Sequence, residues 1–208
     1  IKQSDIIIMQ LEIPLEIVGY VKKIVEEDGK IVILDPAPAI KDIPENILKG
    51  IDYIKPNETE LQILTGMEVK NRKDITEAAK ILIKKGVKNV IVTMGGDGCL
   101  YINKDIEEFF TAYPVKAIDT TAAGDCFTAA FALALSQNKN WKEAIEFGQK
   151  ASSIAVTRKG AQTSIPTREE VDEMKGGKCK VEKEKIIIDC DPGSDDALAI
   201  ILALYSGK

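Results

Sequence analysis

A run of small residues followed by a carboxylate opens an apolar helical segment in the middle of the chain. This run, residues 119–125, reads Asp-Thr-Thr-Ala-Ala-Gly-Asp. Ala122, Ala123 and Gly124 leave space for backbone N–H groups at the helix start to meet a phosphate, which the positive end of the helix dipole also favours. A carboxylate beside a transferring phosphate is best suited to take the proton from an attacking hydroxyl. The run therefore predicts a phosphoryl-transfer site with Asp125 as the base.

A purely structural explanation of the same seven residues stays open at this point. Thr120 or Thr121 would cap the helix, and Asp125 would merely favour its first turn. The seven residues alone do not decide between a cap and a catalytic site, so the rest of the chain has to.

Composition excludes several classes of function. The 208 residues are 45% hydrophobic and 29% charged, which is typical of one soluble globular domain, here with room for an appendage. Net charge is -5 with 28 basic residues scattered among 33 acidic ones, which argues against nucleic-acid and membrane partners. The chain has no histidine, so Ser-His-Asp triads, Cys-His pairs and histidine metal sites are excluded.

The cysteines and the chain ends bear on location. Cys99, Cys126, Cys179 and Cys190 are far apart, which argues against a zinc site or a disulfide framework. No apolar run approaches the roughly 20 residues that span a bilayer, and no secretion signal leads the chain. We therefore expect a cytoplasmic protein. The chain starts at Ile1 and stops within an apolar helical pattern, so both ends are expected to be cut.

Apolar runs alternate with helical patterns along the chain. The predicted strands are residues 6–9, 31–34, 51–54, 90–93, 100–102 and 108–112. The predicted helices are residues 15–25, 58–64, 75–85, 126–135 and 141–157. This alternation predicts an α/β fold, a mainly parallel sheet flanked by helices with an antiparallel margin.

A change of composition divides the chain near its end. Residues 175–185 contain two glycines and five lysines, which is typical of an exposed linker. We therefore predict a first domain at residues 1–174, a linker at 175–184, and the start of a second α/β domain at 185–208, with a strand at 186–188.

In parallel sheets, ligands bind beyond the carboxyl ends of the strands, so the loops there are informative. In residues 55–60, Asn57 is predicted to cap a helix with Glu60 completing a capping box, and Glu60 could equally hold a hydrated magnesium ion. Residues 94–98 hold three glycines, which favours close approach of a nucleotide. Residues 157–162 could offer carbonyls to a cation or flank a nucleotide base, or be a plain helix terminus.

The order and spacing of these segments resemble the ribokinase family of sugar kinases over residues 1–174. The motifs that carry the resemblance are residues 119–125, Pro56-Asn57-Glu58-Thr59-Glu60, residues 93–98, Asp35-Pro36-Ala37-Pro38-Ala39 and residues 156–162. The Ala-Ala-Gly-Asp and Pro-Ala-Pro-Ala segments resemble ribokinases more than distant members of the superfamily. The resemblance implies a three-layer, Rossmann-like domain whose N-terminal half and small β lid are missing from this chain.

The resemblance also implies roles for particular residues. Asp125 is the catalytic base on the ribose 5-hydroxyl, and Ala122, Ala123 and Gly124 form the anion hole. The implied nucleotide-binding residues are Asn57, Glu60, Thr93, Gly95, Gly98 and Gln149, with Asn57 and Glu60 near the phosphates and magnesium. The implied potassium site is Asp119, Thr121, Val156 and Ser164. Glu12 contacts the sugar together with Asp125. ATP, Mg²⁺ and K⁺ are the implied cofactors, and the intact protein is expected to form a homodimer through the lid.

The last residues carry a second resemblance. Residues 189–196 hold four carboxylates, which is costly unless a cation such as calcium binds, although an acidic turn capping a helix is the structural alternative. Residues 185–208 resemble the N-terminus of inosine-uridine nucleoside hydrolases. This resemblance implies that Asp191 and Asp196 ligate calcium and that Asp195 contacts ribose.

The expected function is therefore ATP-dependent phosphorylation of D-ribose to D-ribose 5-phosphate in ribose and nucleoside salvage. One alternative is a kinase of the same family that acts on another sugar or on a nucleoside. The other is a nucleotide- or ion-binding remnant without catalysis.

Overall fold

The computed structural model describes residues 1 and 3–174 and the backbone of residues 186–188. The chain divides into two compact units, residues 1–111 and 112–208. Its strands are β1 (Ile6–Met9), β2 (Ile31–Leu34), β3 (Tyr53–Ile54), β4 (Asn89–Thr93), β5 (Cys99–Asn103), β6 (Glu107–Phe110) and β7 (Ile186–Ile188). Its helices are α1 (Leu15–Asp28), α2 (Glu45–Leu48), α3 (Glu58–Thr65), α4 (Arg72–Lys84), α5 (Ala123–Ser136), α6 (Trp141–Ala155) and α7 (Arg168–Glu173).

The first unit is built on a mixed, mostly parallel sheet. Its strands lie in the order β6-β5-β4-β3-β2-β1. The pairs β1–β2, β2–β3 and β3–β4 are parallel, whereas β4–β5 and β5–β6 are antiparallel. The predicted parallel sheet with an antiparallel margin is therefore confirmed.

Continuous apolar runs form the central strands because both faces of such strands lie in the core. All four residues of β1 are buried, as are the last three of β2 and the middle three of β4. Between the strands, α1 turns Val18 and Val25 inward and ends at Gly29, whose φ of 66° is left-handed and suits glycine. Helices α3 and α4 start at the side-chain caps Asn57 and Asn71.

Several predicted boundaries were wrong for local reasons. Strand β3 spans two residues, not four, because the N–H of Ile51 turns back to the Leu48 carbonyl at 3.2 Å. Helix α5 starts three residues before the predicted position 126, because Ala122 adopts a left-handed conformation that starts the helix there. The short helices α2 and α7 were not predicted, since each is too brief for a clear apolar period.

Some predictions fall outside the described residues. These are the linker at 175–184 and the hydrolase-like segment with Asp191, Asp195 and Asp196; in that region the structure describes only the backbone of the predicted strand 186–188. Among the described residues, no helix combines the length and apolar character needed to cross a bilayer. The cytoplasmic location stays a prediction.

In the second unit, α5 packs closely against α6. Residues 126–134 of α5 are all buried. The close approach depends on Gly148 of α6, where an added Cβ would lie 3.1 Å from the carbonyl oxygen of Phe127. Helix α7 is joined to α6 by Arg168, whose guanidinium carbon lies 5.0 Å from the ring centre of Phe147.

A network of side-chain hydrogen bonds fixes the strand register where the amino end of β4 lies beside the carboxyl end of β5. The Tyr101 hydroxyl donates to Oδ1 of Asn89 at 2.7 Å and accepts from Nδ2 of Asn103 at 2.9 Å. Nδ2 of Asn89 in turn donates to the carbonyl of Asp52 at 2.7 Å. Tyr101 is 1% exposed, so a buried hydroxyl is at the centre of this network, which links β4 and β5 to the residue before β3.

Tyr101→Phe is expected to lower the free energy of unfolding by about 1–2 kcal/mol, because it removes one buried donor and one buried acceptor. Urea unfolding followed by circular dichroism measures the change. Tyr20→Phe is the matched control, since Tyr20 is 63% exposed on α1. Equal effects of the two substitutions would contradict the role of the network.

Candidate active site

The start of α5 is the candidate phosphoryl-transfer site of the second unit. Ala122 occupies the N-cap position with φ 59° and ψ 12°, and no side chain caps the helix. The alternative in which Thr120 or Thr121 caps α5 is therefore wrong. Ala122 is buried, whereas Gly124 is exposed and Asp125 is half-buried. An uncapped helix start lined by small residues is suited to bind an anion through its first-turn N–H groups.

Thr121 instead bonds to Asp119. Its hydroxyl donates to Oδ1 of Asp119 at 2.6 Å, and its N–H donates to the same oxygen at 3.0 Å. The other oxygen of Asp119 accepts from the N–H of Gly160 at 2.9 Å. These bonds, led by the Thr121 hydroxyl, lower the pKa of Asp119 from 3.8 to about 2. Asp119 is therefore a fixed carboxylate that joins the segment before α5 to the loop after α6.

Two other predicted potassium ligands lie in that loop. The carbonyl oxygen of Val156 accepts from the N–H groups of Ile118 and Asp119, at 2.7 and 3.2 Å. Ser164 is fully buried, and its hydroxyl donates to the carbonyl of Ala161 at 2.7 Å. Hydrogen bonds thus bring Asp119, Thr121 and Val156 together, and Ser164 lies in the same loop as Gly160.

Apolar packing holds this loop against the start of α5. Ala122, Cys126 and Ala155 form one buried cluster, and Ala161 and Ile165 pack against it. Burial raises the pKa of the Cys126 thiol to about 12, so this cysteine is a packing residue rather than a nucleophile. The small side chains of the predicted anion-binding segment therefore also contribute to its packing.

Two polar residues of the second unit have structural partners. Arg158, in the loop predicted to meet a cation or a nucleotide base, forms an ion pair with Glu170 of α7. This pair lowers the pKa of Glu170.

Gln149 lies in α6 and is 6% exposed. Its predicted contact with a nucleotide stays a prediction.

In the first unit, Asn57 and Glu60 form the predicted capping box. Oδ1 of Asn57 accepts from the N–H of Glu60 at 2.9 Å, and Oε2 of Glu60 accepts from the N–H of Asn57 at 2.7 Å. Both bonds hold the loop after β3 in one conformation. The capping prediction is confirmed, and a magnesium role for Glu60 stays a prediction.

The glycine-rich segment after β4 lies beside this loop. The N–H of Thr93 donates to the carbonyl of Pro56 at 3.0 Å, and Thr93 forms a parallel bridge with Asn57. Gly95 starts a short 3-10 turn with φ 52°, and Gly98 ends it with φ 100° and ψ -133°. Only glycine adopts the Gly98 conformation readily. The predicted nucleotide residues Asn57, Thr93 and Gly95 are therefore neighbours at one edge of the sheet.

Glu12 is exposed in the loop after β1. The adjacent Leu11 donates its N–H to the carbonyl of Ala37 at 2.9 Å, which ties this loop to the Asp-Pro-Ala-Pro segment after β2. The predicted sugar residue and the segment at 35–39 thus meet at the same carboxyl edge that carries Asn57.

Sequence reasoning missed an ion pair at this edge. Nζ of Lys55 lies 2.9 Å from Oδ2 of Asp35, and both residues are 4% exposed. The available signal was that each charged residue directly follows an apolar strand. No cluster of three or more acidic or cysteine side chains able to hold a metal occurs in the described part of the chain.

An uncapped helix start and a glycine bend beyond a parallel strand are typical of α/β proteins that bind phosphorylated ligands. The family model described as "pfkB family carbohydrate kinase" matches residues 1–168. The chain therefore belongs to the pfkB family of carbohydrate kinases.

Individual relatives place it in the ribokinase-like part of that family. The chain is 46% identical over 170 residues to a ribokinase of Haemophilus influenzae, covering 82% of this chain and 55% of the relative. It is 38% identical over 173 residues to a deoxyribokinase of Salmonella typhi, covering 83% and 56%. The chain thus spans about half the length of the curated relatives it matches.

Solved structures agree with this placement. A ribokinase of Arabidopsis thaliana complexed with ribose and ATP superposes with a TM-score of 0.78 at 38% identity, covering 82% of this chain and 55% of that one. Phosphofructokinase-2 of Escherichia coli in complex with potassium superposes with a TM-score of 0.70 at 26% identity, covering 83% and 57%. Nothing in the comparisons supports a nucleoside hydrolase or a calcium site at residues 185–208.

Thr121→Val is expected to raise the pKa of Asp119 from about 2 towards its ordinary 3.8, because it removes the strongest hydrogen bond to the carboxylate. Since the folded pKa is depressed, Asp119 contributes stability that is present above pH 3.8 and is lost as the pH falls towards 2. Carbon-detected NMR titration of the Asp119 carboxyl measures the shift.

Thr157→Val is the control for this titration, because the Thr157 hydroxyl donates to the carbonyl of Ile154 at 2.7 Å. It should leave the Asp119 titration where it is. An Asp119 pKa that is the same in wild type and Thr121→Val would contradict the assignment of the low pKa to the Thr121 hydroxyl.

Proposed function

We propose that the protein containing this chain transfers the γ-phosphoryl group of ATP to the 5-hydroxyl of D-ribose, giving ribose 5-phosphate and ADP. The observation that carries the proposal is the start of α5, which opens at left-handed Ala122 without a capping side chain and has Asp125 in its first turn. Similarity to ribokinases, including one complexed with ribose and ATP, supports the choice of sugar and nucleotide.

In this proposal, Asp125 acts as the general base. It takes the proton of the ribose 5-hydroxyl while the hydroxyl oxygen forms a bond to the γ-phosphorus. The bond from that phosphorus to the bridging oxygen breaks, and ADP leaves with its electron pair. First-turn N–H groups of α5 stabilise the charge on the transferring phosphoryl group. The methyl group of Ala123 and the lack of a side chain at Gly124 leave access to these N–H groups.

The first unit supports nucleotide binding. Glu60 and Asn57 are held rigid by their capping box, and Gly95 and Gly98 permit a bend that lets the backbone approach a nucleotide. Mg²⁺ bound with ATP would neutralise phosphate charge, and Glu60 and Asn57 would contact its water shell. Thr93, bridged to Asn57, completes the proposed nucleotide edge.

A potassium ion is proposed at Asp119, Thr121, Val156 and Ser164. The hydrogen bonds that lower the pKa of Asp119 keep its carboxylate charged, which suits a cation. A potassium complex of phosphofructokinase-2 at 26% identity supports the same assignment. A cation bound there would supply positive charge in the segment that leads into α5.

The homodimer formed through a lid stays a prediction.

A second candidate substrate is 2-deoxyribose, which the 38% identity to a deoxyribokinase favours. ADP release by the protein expressed from its complete reading frame, with ribose, 2-deoxyribose, fructose and adenosine compared in Mg²⁺ and K⁺, separates these substrates. Turnover that prefers ribose supports the proposal. ATP binding without sugar-dependent turnover would contradict it and would fit a nucleotide-binding protein without catalysis.

Asp125→Ala is expected to lower kcat about 10³-fold, because general-base catalysis typically contributes 10²–10⁴. The dissociation constant for ATP should change by less than about twofold, since the substitution leaves the first-turn N–H groups in place. Steady-state kinetics and calorimetry measure the two effects.

Asp105→Ala serves as the control, because Asp105 lies in the turn between β5 and β6. It should retain full turnover. An Asp125→Ala protein that keeps most of its activity would refute the assignment of the base.

A further inference from the structure

Backbone hydrogen bonds continue beyond the paired strand residues at the carboxyl edge of the first unit. The N–H of Asp35 donates to Met9 at 2.8 Å, and the N–H of Lys55 donates to Leu34 at 3.0 Å. The Thr93–Pro56 bond at 3.0 Å and the Leu11–Ala37 bond at 2.9 Å extend the same series. We call these four bonds the edge belt. The belt runs from the loop that carries Glu12 to the loops that carry Asn57 and Thr93.

The Asp35–Lys55 ion pair lies in the middle of the edge belt. Each partner's N–H is itself a belt donor, and their side chains meet at 2.9 Å with 6% and 5% of the side-chain surface exposed. A buried ion pair is a weak source of stability, because desolvation offsets most of the attraction, and apolar pairs of similar size often serve as well. A pair in this position is therefore better explained by the geometry that it enforces.

We propose that Asp35 and Lys55 are positioning residues that fix the sugar-side loop at Glu12 and the nucleotide-side loop at Asn57 and Glu60 relative to each other. This inference rests on the proposed function. The pair joins the first residues after β2 and β3. Lys55 leads directly into the loop at Asn57 and Glu60. Asp35 leads into residues 35–39, which the Leu11–Ala37 bond ties to the loop that carries Glu12. Separating the charges would let the two loops move independently.

The burial of the pair also defines what Lys55 does not do. A lysine that binds a phosphate presents its ammonium group to the ligand as an accessible point charge. Lys55 is 4% exposed, and its ammonium group contacts a carboxylate instead. Its role is therefore to hold the loop that starts at Pro56, and the contact with nucleotide falls to the residues that follow.

The test compares three variants of the protein expressed from its complete reading frame. Asp35→Asn and Lys55→Met each leave one buried charge or partner uncompensated, so Tm should fall by about 10 °C. The double variant Asp35→Leu/Lys55→Met replaces the pair with apolar side chains, so it should recover most of that loss. Its KM values for both ATP and sugar should still rise about tenfold, because the loops are no longer held in register.

Hydrogen exchange provides a readout that does not depend on turnover. In the double variant, the amides of Leu11 and Thr93 should exchange at least about tenfold faster than in wild type, because their belt bonds open more often. Lys88→Met is the matched control. Lys88 pairs with Asp52 at 2.7 Å at the opposite edge of the sheet, where its side chain is 59% exposed. This control should leave both KM values and the Leu11 and Thr93 exchange rates unchanged.

Wild-type KM values and exchange rates in a double variant that has recovered its Tm would overturn the proposal. The same holds if Lys88→Met produces the same changes as the double variant. A wild-type protein without sugar-dependent turnover contradicts the proposed function alone, because the exchange rates of Leu11 and Thr93 still decide whether the pair holds the loops.

Discussion

Parallel pairing of β1 to β4 is the constraint on which the candidate site of the first unit depends. Because these strands run in the same direction, their carboxyl ends meet at one edge, and every loop that leaves them starts there. Pairing in register places Met9 opposite Leu34, and Leu34 opposite Ile54. The residues that follow these positions carry the polar groups of the site. Strand pairing therefore brings the residues of this site close together, although they lie far apart in the chain.

The candidate site of the second unit depends on a helix start rather than on a sheet edge. The first turn of α5 supplies backbone N–H donors, and the low-pKa carboxylate of Asp119 holds the segment before the helix. Asp119 accepts hydrogen bonds from both sides of the unit's candidate site, from Thr121 before α5 and from Gly160 after α6. Small residues around Ala122 allow the two segments to pack closely. Hydrogen bonds to the Asp119 carboxylate and close packing around Ala122 thus both stabilise the segment that leads into α5.

The sequence was informative wherever the cause of a feature was local. Apolar runs alternating with helical patterns were sufficient to predict a mainly parallel sheet, and the Asn57–Glu60 spacing was sufficient for the capping box. The early start of α5 was missed, because an alanine with positive φ carries no signal in its residue type. The Asp35–Lys55 pair was missed for another reason. These residues are twenty positions apart, and only the adjacency of β2 and β3 brings them together.

Helices α3, α4, α6 and α7 begin with a side chain of their own that satisfies backbone donors, whereas α5 begins at an alanine. A helix that caps itself is complete without any other molecule. Helix α5 has no such side chain; in the proposed function the transferring phosphoryl group would accept hydrogen bonds from its first-turn N–H groups, so folding and ligand binding would be linked equilibria in this region. The protein should then gain rigidity as its substrates arrive, and the cellular level of phosphorylated nucleotide would influence how long the folded chain survives.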